Sequence, residues 1–144
     1  MSIEEKKTTE VCPYMKKCGG CQLQGVPYAQ QLKDKEKQVK DLIGPYCRVF
    51  PITGMETPYH YRNKVHAVLD HLKGNVISGI YEERSHQVVP VDSCQIEDEK
   101  ADAIIVTIRE LLQSFRLKVY DEDNGFGLFR HILIRVGKTS GQIM

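Results

Sequence analysis

The sequence has no apolar run near the roughly 20 residues that a membrane-spanning helix needs. Its first residues, Met1-Ser2-Ile3-Glu4-Glu5-Lys6-Lys7, contain no hydrophobic signal core. Neither a spanning helix nor a secretory leader is expected, and the cytoplasm is the default compartment. Net charge is nearly missing as well: 20 Lys and Arg against 19 Asp and Glu leave +1 over 144 residues. That sum alone does not advertise a nucleic-acid binder. Internal repeats and low-complexity tracts are absent, which leaves out solenoids and linker-like chains. An even cysteine count is lacking too. Five cysteines argue against a fully paired disulfide framework, and in a cytoplasmic chain they point to metal binding or catalysis.

What remains is an ordinary globular composition, 41% apolar and 27% charged, long enough for one core with a small appendage. The charges are segregated. Basic residues gather at Lys16, Lys17, Lys33–Lys40, Arg48, Arg62 and Lys64 and again at Arg130, Arg135 and Lys138, whereas acids concentrate between Glu97 and Asp123. One face can then be positive while the whole is neutral. Solvated helix faces would give the same pattern.

Along the chain, residues 1–11 read as a loose polar tail. Residues 12–27, with three cysteines, paired glycines and two prolines, read as a ligand-bearing loop. Tyr28, Leu32, Val39 and Leu42 or Ile43 recur near a 3.6-residue period, which predicts a helix over 28–43 that Gly44-Pro45 ends. Residues 28–55 form that helix and a linker. Residues 56–144 read as an α+β domain: an antiparallel sheet with one long helix packed on it. The predicted strands are Arg62–Leu72, Val76–Tyr81, His86–Val91 and Leu128–Val136, with a turn at Lys73-Gly74-Asn75. The predicted long helix is Ile96–Phe115, its apolar face made by Ala101, Ile104, Ile105, Ile108, Leu111, Leu112 and Phe115. Gly137–Gly141 is a turn from which Gln142-Ile143-Met144 starts a short returning strand, and the chain is expected to be a piece of a longer protein.

Cys12-Pro-Tyr-Met-Lys-Lys-Cys18-Gly-Gly-Cys21 sets three thiols within ten positions, and Cys94 lies far downstream between a strand and the long helix. Four thiolates suit a [4Fe–4S] cluster or tetrahedral zinc, and spacing alone leaves both open. Gly19 and Gly20 let the loop wrap closely and aim N–H groups at sulfur. A redox pair, or buried structural cysteines, is the plainer alternative. Cys47 fits no spacing and reads as a free thiol or core filler.

These residues also carry a resemblance. The Cys-x5-Cys-Gly-Gly-Cys run followed by Gln22 and the Tyr28…Leu32 helix resembles the iron–sulfur branch of the RNA uracil-5-methyltransferases. Tyr61-Arg62-Asn63-Lys64, Gly79-Ile80-Tyr81…Ser85-His86…Val89 leading to Cys94, and Gly127-Leu128…Arg130-His131-Ile132…Arg135 resemble further segments of that family, in order, so that residues 12–144 are covered. The resemblance implies S-adenosylmethionine-dependent methylation of uridine C5, chiefly in 23S ribosomal RNA, and a [4Fe–4S] cluster on Cys12, Cys18, Cys21 and Cys94. It also implies that the S-adenosylmethionine loop, the nucleophilic cysteine and the general base belong to a following domain. No catalytic residue is therefore expected in this chain, and the chain alone is expected neither to bind S-adenosylmethionine nor to transfer methyl groups. The family further implies that the helix over 28–43 packs on that catalytic domain, which predicts an exposed apolar patch here or self-association that hides it.

For RNA contact the candidates are Arg62 and Lys64, alternating along one strand as a phosphate clamp, and Arg130 and His131, which follow Phe129 and can meet a splayed base. Lys16 and Lys17 in the cysteine loop either meet phosphates or offset cluster charge. His60, His66, His71 and His86 show no ligand spacing. The rival readings are a zinc-stapled RNA-binding module without enzymatic activity and a small electron-transfer protein. A transfer RNA enzyme is a further possibility, although the resemblance implies that the branch acting there lacks this cysteine cluster.

Overall fold

Alternating burial along Lys64–Leu72 (β1) explains why this stretch is a strand: Val65, Ala67 and Leu69 point to one side and are buried, while Lys64 and His66 on the other are exposed. A computed structural model describes residues 11–144. The expected tail over 1–11 therefore lies, Val11 apart, outside the described residues. Before β1 comes one helix, Tyr28–Ile43 (α1). After it follow Asn75–Tyr81 (β2), Val88–Pro90 (β3), Glu99–Ser114 (α2) and His131–Arg135 (β4). The four strands make one antiparallel sheet in the order β3-β2-β1-β4. The α+β architecture expected from the sequence is what is found.

The β1–β2 hairpin turns on Lys73 and Gly74, both with positive φ (52° and 83°), and Leu72 pairs directly with Asn75. A two-residue turn with two left-handed positions has the twist that joins antiparallel strands, and glycine takes the second at no steric cost. Asn75 thus belongs to the strand and not to the predicted turn.

α2 starts where Asp98 accepts a hydrogen bond from Lys100 N–H at 3.0 Å, and Glu99 and Asp102 put negative charge at the positive end of the helix. Its Ala101, Ile105 and Leu112 pack on Val65, Ala67, Leu69 and Val76 of the hairpin, with Ile132, Ile134, Val136 and Val119 completing the core. The helix was predicted to begin at Ile96. Instead residues 96–98 run beside Arg62 as a parallel bridge, with Arg62 N–H donating to Ile96 C=O (2.8 Å) and Asp98 N–H to Arg62 C=O (3.0 Å). The same bridge keeps Arg62 out of β1. Likewise Leu128–Arg130 does not extend β4: Leu128 N–H donates to Lys118 C=O and Tyr120 N–H to Phe129 C=O, pairing this stretch with residues 118–120. The Gly137–Gly141 turn and the returning segment form as predicted, Arg135 and Met144 exchanging backbone hydrogen bonds at 2.8 and 3.0 Å.

β3 is a short edge strand whose Pro90 lies on the rim, where a missing N–H costs no ladder bond. It approaches β2 so closely at Gly79 that a β-carbon there would lie 1.8 Å from Val89 C=O.

α1 touches no other helix or strand, and none of its residues is buried. Its contacts are with the segments flanking it: Gln31 Nε2 donates to Val26 C=O (2.8 Å), Met55 N–H donates to Tyr28 Oη (2.8 Å), Ile52 N–H to Glu36 (3.2 Å), and Gly54 lies against Leu32. Val39, Leu42, Ile43, Tyr46 and Phe50 are left exposed. The Val39–Ile43 part of the apolar stripe is thus open to solvent, while Tyr28 and Leu32 are half-buried.

Candidate metal centre

The loop over residues 12–27 is a chain of tight turns. Met15 N–H donates to Cys12 C=O and Cys18 N–H to Tyr14 C=O (3.1 and 2.8 Å), winding the thiols inward. Gly20 N–H donates to Cys18 Sγ at 3.4 Å, and a β-carbon on Gly20 would meet that sulfur at 3.2 Å. The loop is attached at both ends. Cys18 bridges to Glu82 just past β2, and Gln24 Nε2 donates to Gln95 Oε1 (3.3 Å), next to Cys94.

Cys94 arrives from the other side, on the connection between β3 and α2. Its N–H donates to Asp102 Oδ2 at 2.8 Å, and its sulfur accepts N–H bonds from Ile96 and Glu97. Cys12, Cys18, Cys21 and Cys94 all line one cavity of about 40 Å³, floored by Ile80 and Ile105. Among the described residues no group of three His, Cys, Asp or Glu side chains is gathered so as to hold a single ion. The four thiols thus share a cavity without being drawn to one point.

Burial pushes the Cys94 thiol up to about 11. Cys21 is raised too, first by burial and then by the neighbouring Cys18, with Arg62 opposing. Without metal these thiols stay protonated at neutral pH. A cationic centre reverses that balance, because its charge stabilises the thiolate that burial disfavours. The donor set, four cysteines with backbone N–H groups on two of the sulfurs, fits an iron–sulfur cluster or zinc.

Beside the thiols is a pair of carboxyl groups that sequence reasoning did not find. Glu97 and Asp102 are 7% and 8% exposed and hydrogen-bonded to each other, with Arg62 Nη1 3.6 Å from Glu97. The signal was an acid, Asp102, one turn before Ile105 on the buried stripe of α2. Burial and then Asp102 raise Glu97 to about 7, while Asp102 is raised chiefly by burial. Because Glu97 is raised above its unfolded value, the fold binds more protons than the unfolded chain from about pH 4.5 upward. Its contribution is full below that and is lost as pH rises through about 7. Replacing Glu97 by Gln in the metal-free chain is expected to raise Tm at pH 8 and leave it nearly unchanged at pH 5. A melting series across that range checks this.

The remaining candidates are distributed. Arg62 pairs with Glu97 and its charge reaches Cys21, so it acts beside the thiol pocket; it lies outside β1 and is not aligned with Lys64 on that strand. Lys64 opens β1 directly opposite Arg135 of β4, two cations in one cross-strand pair. Arg130 donates to Glu122 at 2.6 Å and lies over the Tyr120 ring, and Glu122 in turn accepts from Tyr81. His131 stands edge-on to His66, ring centroids 4.7 Å apart, and its pKa is lowered by burial, then by His66 and Arg130. Lys16 and Lys17 are exposed on the rim of a cleft that also holds Glu82, Glu83 and Arg84.

No family model matches the chain. An RNA methyltransferase of Clostridium tetani is 44% identical over 137 residues, covering 92% of this chain. One of Halalkalibacterium halodurans is 38% identical over 138 residues, again 92% of the chain. In each case the chain spans 30% of the relative's length. A crystal structure of the Pyrococcus abyssi tRNA (uracil-54, C5)-methyltransferase with S-adenosyl-L-homocysteine superimposes with a TM-score of 0.67 at 25% identity, over 89% of this chain and 30% of that one. In sequence and in fold the chain is thus similar to part of these RNA methyltransferases. The resemblance to the RNA uracil-5-methyltransferases read from the motifs is borne out, and the chain corresponds to about three tenths of such a protein. No helix among the described residues is long and apolar enough to cross a membrane.

Proposed function

We propose that this chain is the cluster-bearing, RNA-recognition segment of an S-adenosylmethionine-dependent 23S ribosomal RNA uracil-5-methyltransferase. The observation that carries the reading is that Cys12, Cys18 and Cys21 line one cavity with the distant Cys94, in a chain similar to RNA methyltransferases. The group proposed for that cavity is a [4Fe–4S] cluster, and its role is structural: four thiolate bonds would tie the 12–27 loop to the β3–α2 connection. Uracil methylation itself needs no electron transfer. The chain's own residues prepare the site. Ile96 and Glu97 N–H groups steady the Cys94 sulfur, Gly20 N–H steadies Cys18, and Arg62 places positive charge where thiolates would concentrate negative charge.

Lys16, Lys17, Lys64, Arg130 and His131 are the residues proposed to meet RNA, from an exposed loop and from the β1–β4 side of the sheet. S-adenosylmethionine is proposed as the cosubstrate of the parent enzyme, bound outside this segment, and the segment alone is expected to be inactive. Helix α1 is proposed to seat against the parent's catalytic domain. In its absence, concentration-dependent self-association through Val39, Leu42 and Ile43 is the expected alternative.

A transfer RNA substrate is the second reading, because the superimposable Pyrococcus enzyme acts on tRNA uracil-54. A competition experiment separates the two. A fragment of 23S RNA is expected to displace a labelled RNA from the chain at lower concentration than transfer RNA of equal length. The reverse order would favour the transfer RNA reading, and a colourless zinc protein that binds both equally would favour a zinc-stapled binding module.

A further inference from the structure

α2 covers one face of the sheet; on the other, at the β1–β4 end, Val68 is buried while the residues around it are exposed. The antiparallel register puts Lys64 opposite Arg135, His66 opposite Leu133 and Val68 opposite His131 on that outer face. Lys64, His66, His131 and Arg135 are all exposed, and Leu133 between them is 48% exposed. Among the described residues no carboxylate pairs with Lys64 or Arg135. Of the acids around it, Asp70 accepts from His71 N–H, and Glu122 accepts from Arg130 and Tyr81.

Like charges placed directly opposite each other on a sheet repel, so the Lys64–Arg135 pair does not serve the fold. Residues so placed have β-carbons about 4.5–5.5 Å apart, close enough for both cations to reach one phosphate. Two residues along β1 from Lys64 and four along β4 from Arg135, the edge-on pair His66 and His131 offers ring surface beside an apolar Leu133. A cation pair that shares an anion next to exposed rings is the combination by which proteins hold single-stranded RNA, through phosphate and through an unstacked base.

We propose that this outer face is an RNA contact surface in its own right, seating single-stranded RNA with a phosphate between Lys64 and Arg135 and a base against His66 and His131. The proposal rests on the RNA-recognition reading given above and adds His66 and Arg135 to it. It also removes Arg62, which serves the thiol pocket.

The test is fluorescence anisotropy of the full 144-residue chain with a labelled single-stranded uridine-rich oligonucleotide, titrated at several salt concentrations. Lys64→Gln and Arg135→Gln are each expected to weaken binding about fivefold at 0.1 M salt and to flatten the salt dependence by about 0.7 of a logarithmic unit per unit. His131→Ala is expected to weaken it about tenfold with the salt slope unchanged. Lys64→Arg should keep parental affinity, and Arg116→Gln, a charge control just past the end of α2, should have no effect. Relief of repulsion should leave the Tm of the Lys64→Gln/Arg135→Gln double variant at or above the parental value, which guards against misfolding. Parental binding that survives the double variant with an unchanged salt slope would overturn the surface while leaving the RNA reading standing. Absence of any salt-sensitive binding by the parental chain would overturn both. Equal affinity for a duplex of the same length would contradict the single-stranded assignment.

Discussion

Replacing Cys94 by Ser is expected to abolish stable cluster binding while leaving the sheet and α2 folded. Cys94 is not part of the hydrophobic core built from β1, β2, β4 and α2, and serine is close to cysteine in size, so that core should stay packed. What is lost is the one proposed ligand that would connect the 12–27 loop to the β3–α2 junction. The Gln24–Gln95 side-chain bond would still tie these two regions together. Iron per chain should fall by at least tenfold. A ligand bound only to the folded state at a thousandfold its Kd adds about 4 kcal/mol, and for a domain of this size that corresponds to a Tm difference on the order of 10 °C. The serine variant should therefore melt about 10 °C below the loaded parent, and close to the parent stripped of metal. Cys47→Ser is the control: this thiol is exposed and away from the cavity, and iron content should not change. Iron assay and thermal melts of the three proteins, prepared without oxygen, check the expectation.

The second large effect is expected at a residue with no sulfur at all. Gly79 faces Val89 and Pro90 of β3 at a separation that leaves no room for a methyl group: a β-carbon would lie 1.8 Å from Val89 C=O, 2.8 Å from its carbonyl carbon and 3.2 Å from Pro90 Cα. These are backbone atoms, which cannot rotate aside. Gly79→Ala must push β3 away from β2, breaking the Gly79–Pro90, Ile80–Val89 and Tyr81–Val88 pairs. Overpacking of this kind costs about 3 kcal/mol or more when the neighbour cannot yield, so Tm should drop on the order of 10 °C. The functional consequence follows from chain order. β3 leads within four residues to Cys94, so its displacement should also reduce iron incorporation with all five cysteines present. Gly74→Ala gives the contrast. Nothing lies within 4 Å of a β-carbon there, and only its φ of +83° opposes the change, at a cost of about 1 kcal/mol with iron content unaffected. A Gly79→Ala protein with parental melting and parental iron would contradict this coupling of the sheet edge to the thiol pocket.

Much of this was legible in the sequence because it is written locally. Alternating residues in Lys64–Leu72, the Lys73-Gly74 turn, and the apolar stripe from Ala101 to Leu112 each announce their element without reference to the rest of the chain. The cysteine loop is local too, and its motif carried the family resemblance. What escaped was set by pairings between distant segments. Ile96 and Glu97 have helical neighbours, yet hydrogen bonds with Arg62 hold residues 96–98 extended, so α2 starts later than its periodicity implies. Arg62 alternates with Lys64 in sequence, but the same bridge turns it to Glu97 and the thiols. The Lys64–Arg135 and His66–His131 juxtapositions depend on the β1–β4 register, which no local pattern specifies. The Glu97–Asp102 pair was hidden for a related reason. An acid one turn before Ile105 is visible, but the partner that makes its burial tolerable lies outside the helix.

The Cys94 and Gly79 expectations and the proposed enzyme class share one premise, that four thiols close on an iron–sulfur centre. Iron, zinc and acid-labile sulfide analysis of the anaerobically purified chain, read beside its visible absorption, tests it most directly. The expected result is brown protein with about four iron and four sulfide per chain and no stoichiometric zinc. Colourless protein with one zinc and no sulfide, or with no metal after anaerobic reconstitution with iron and sulfide, would contradict it.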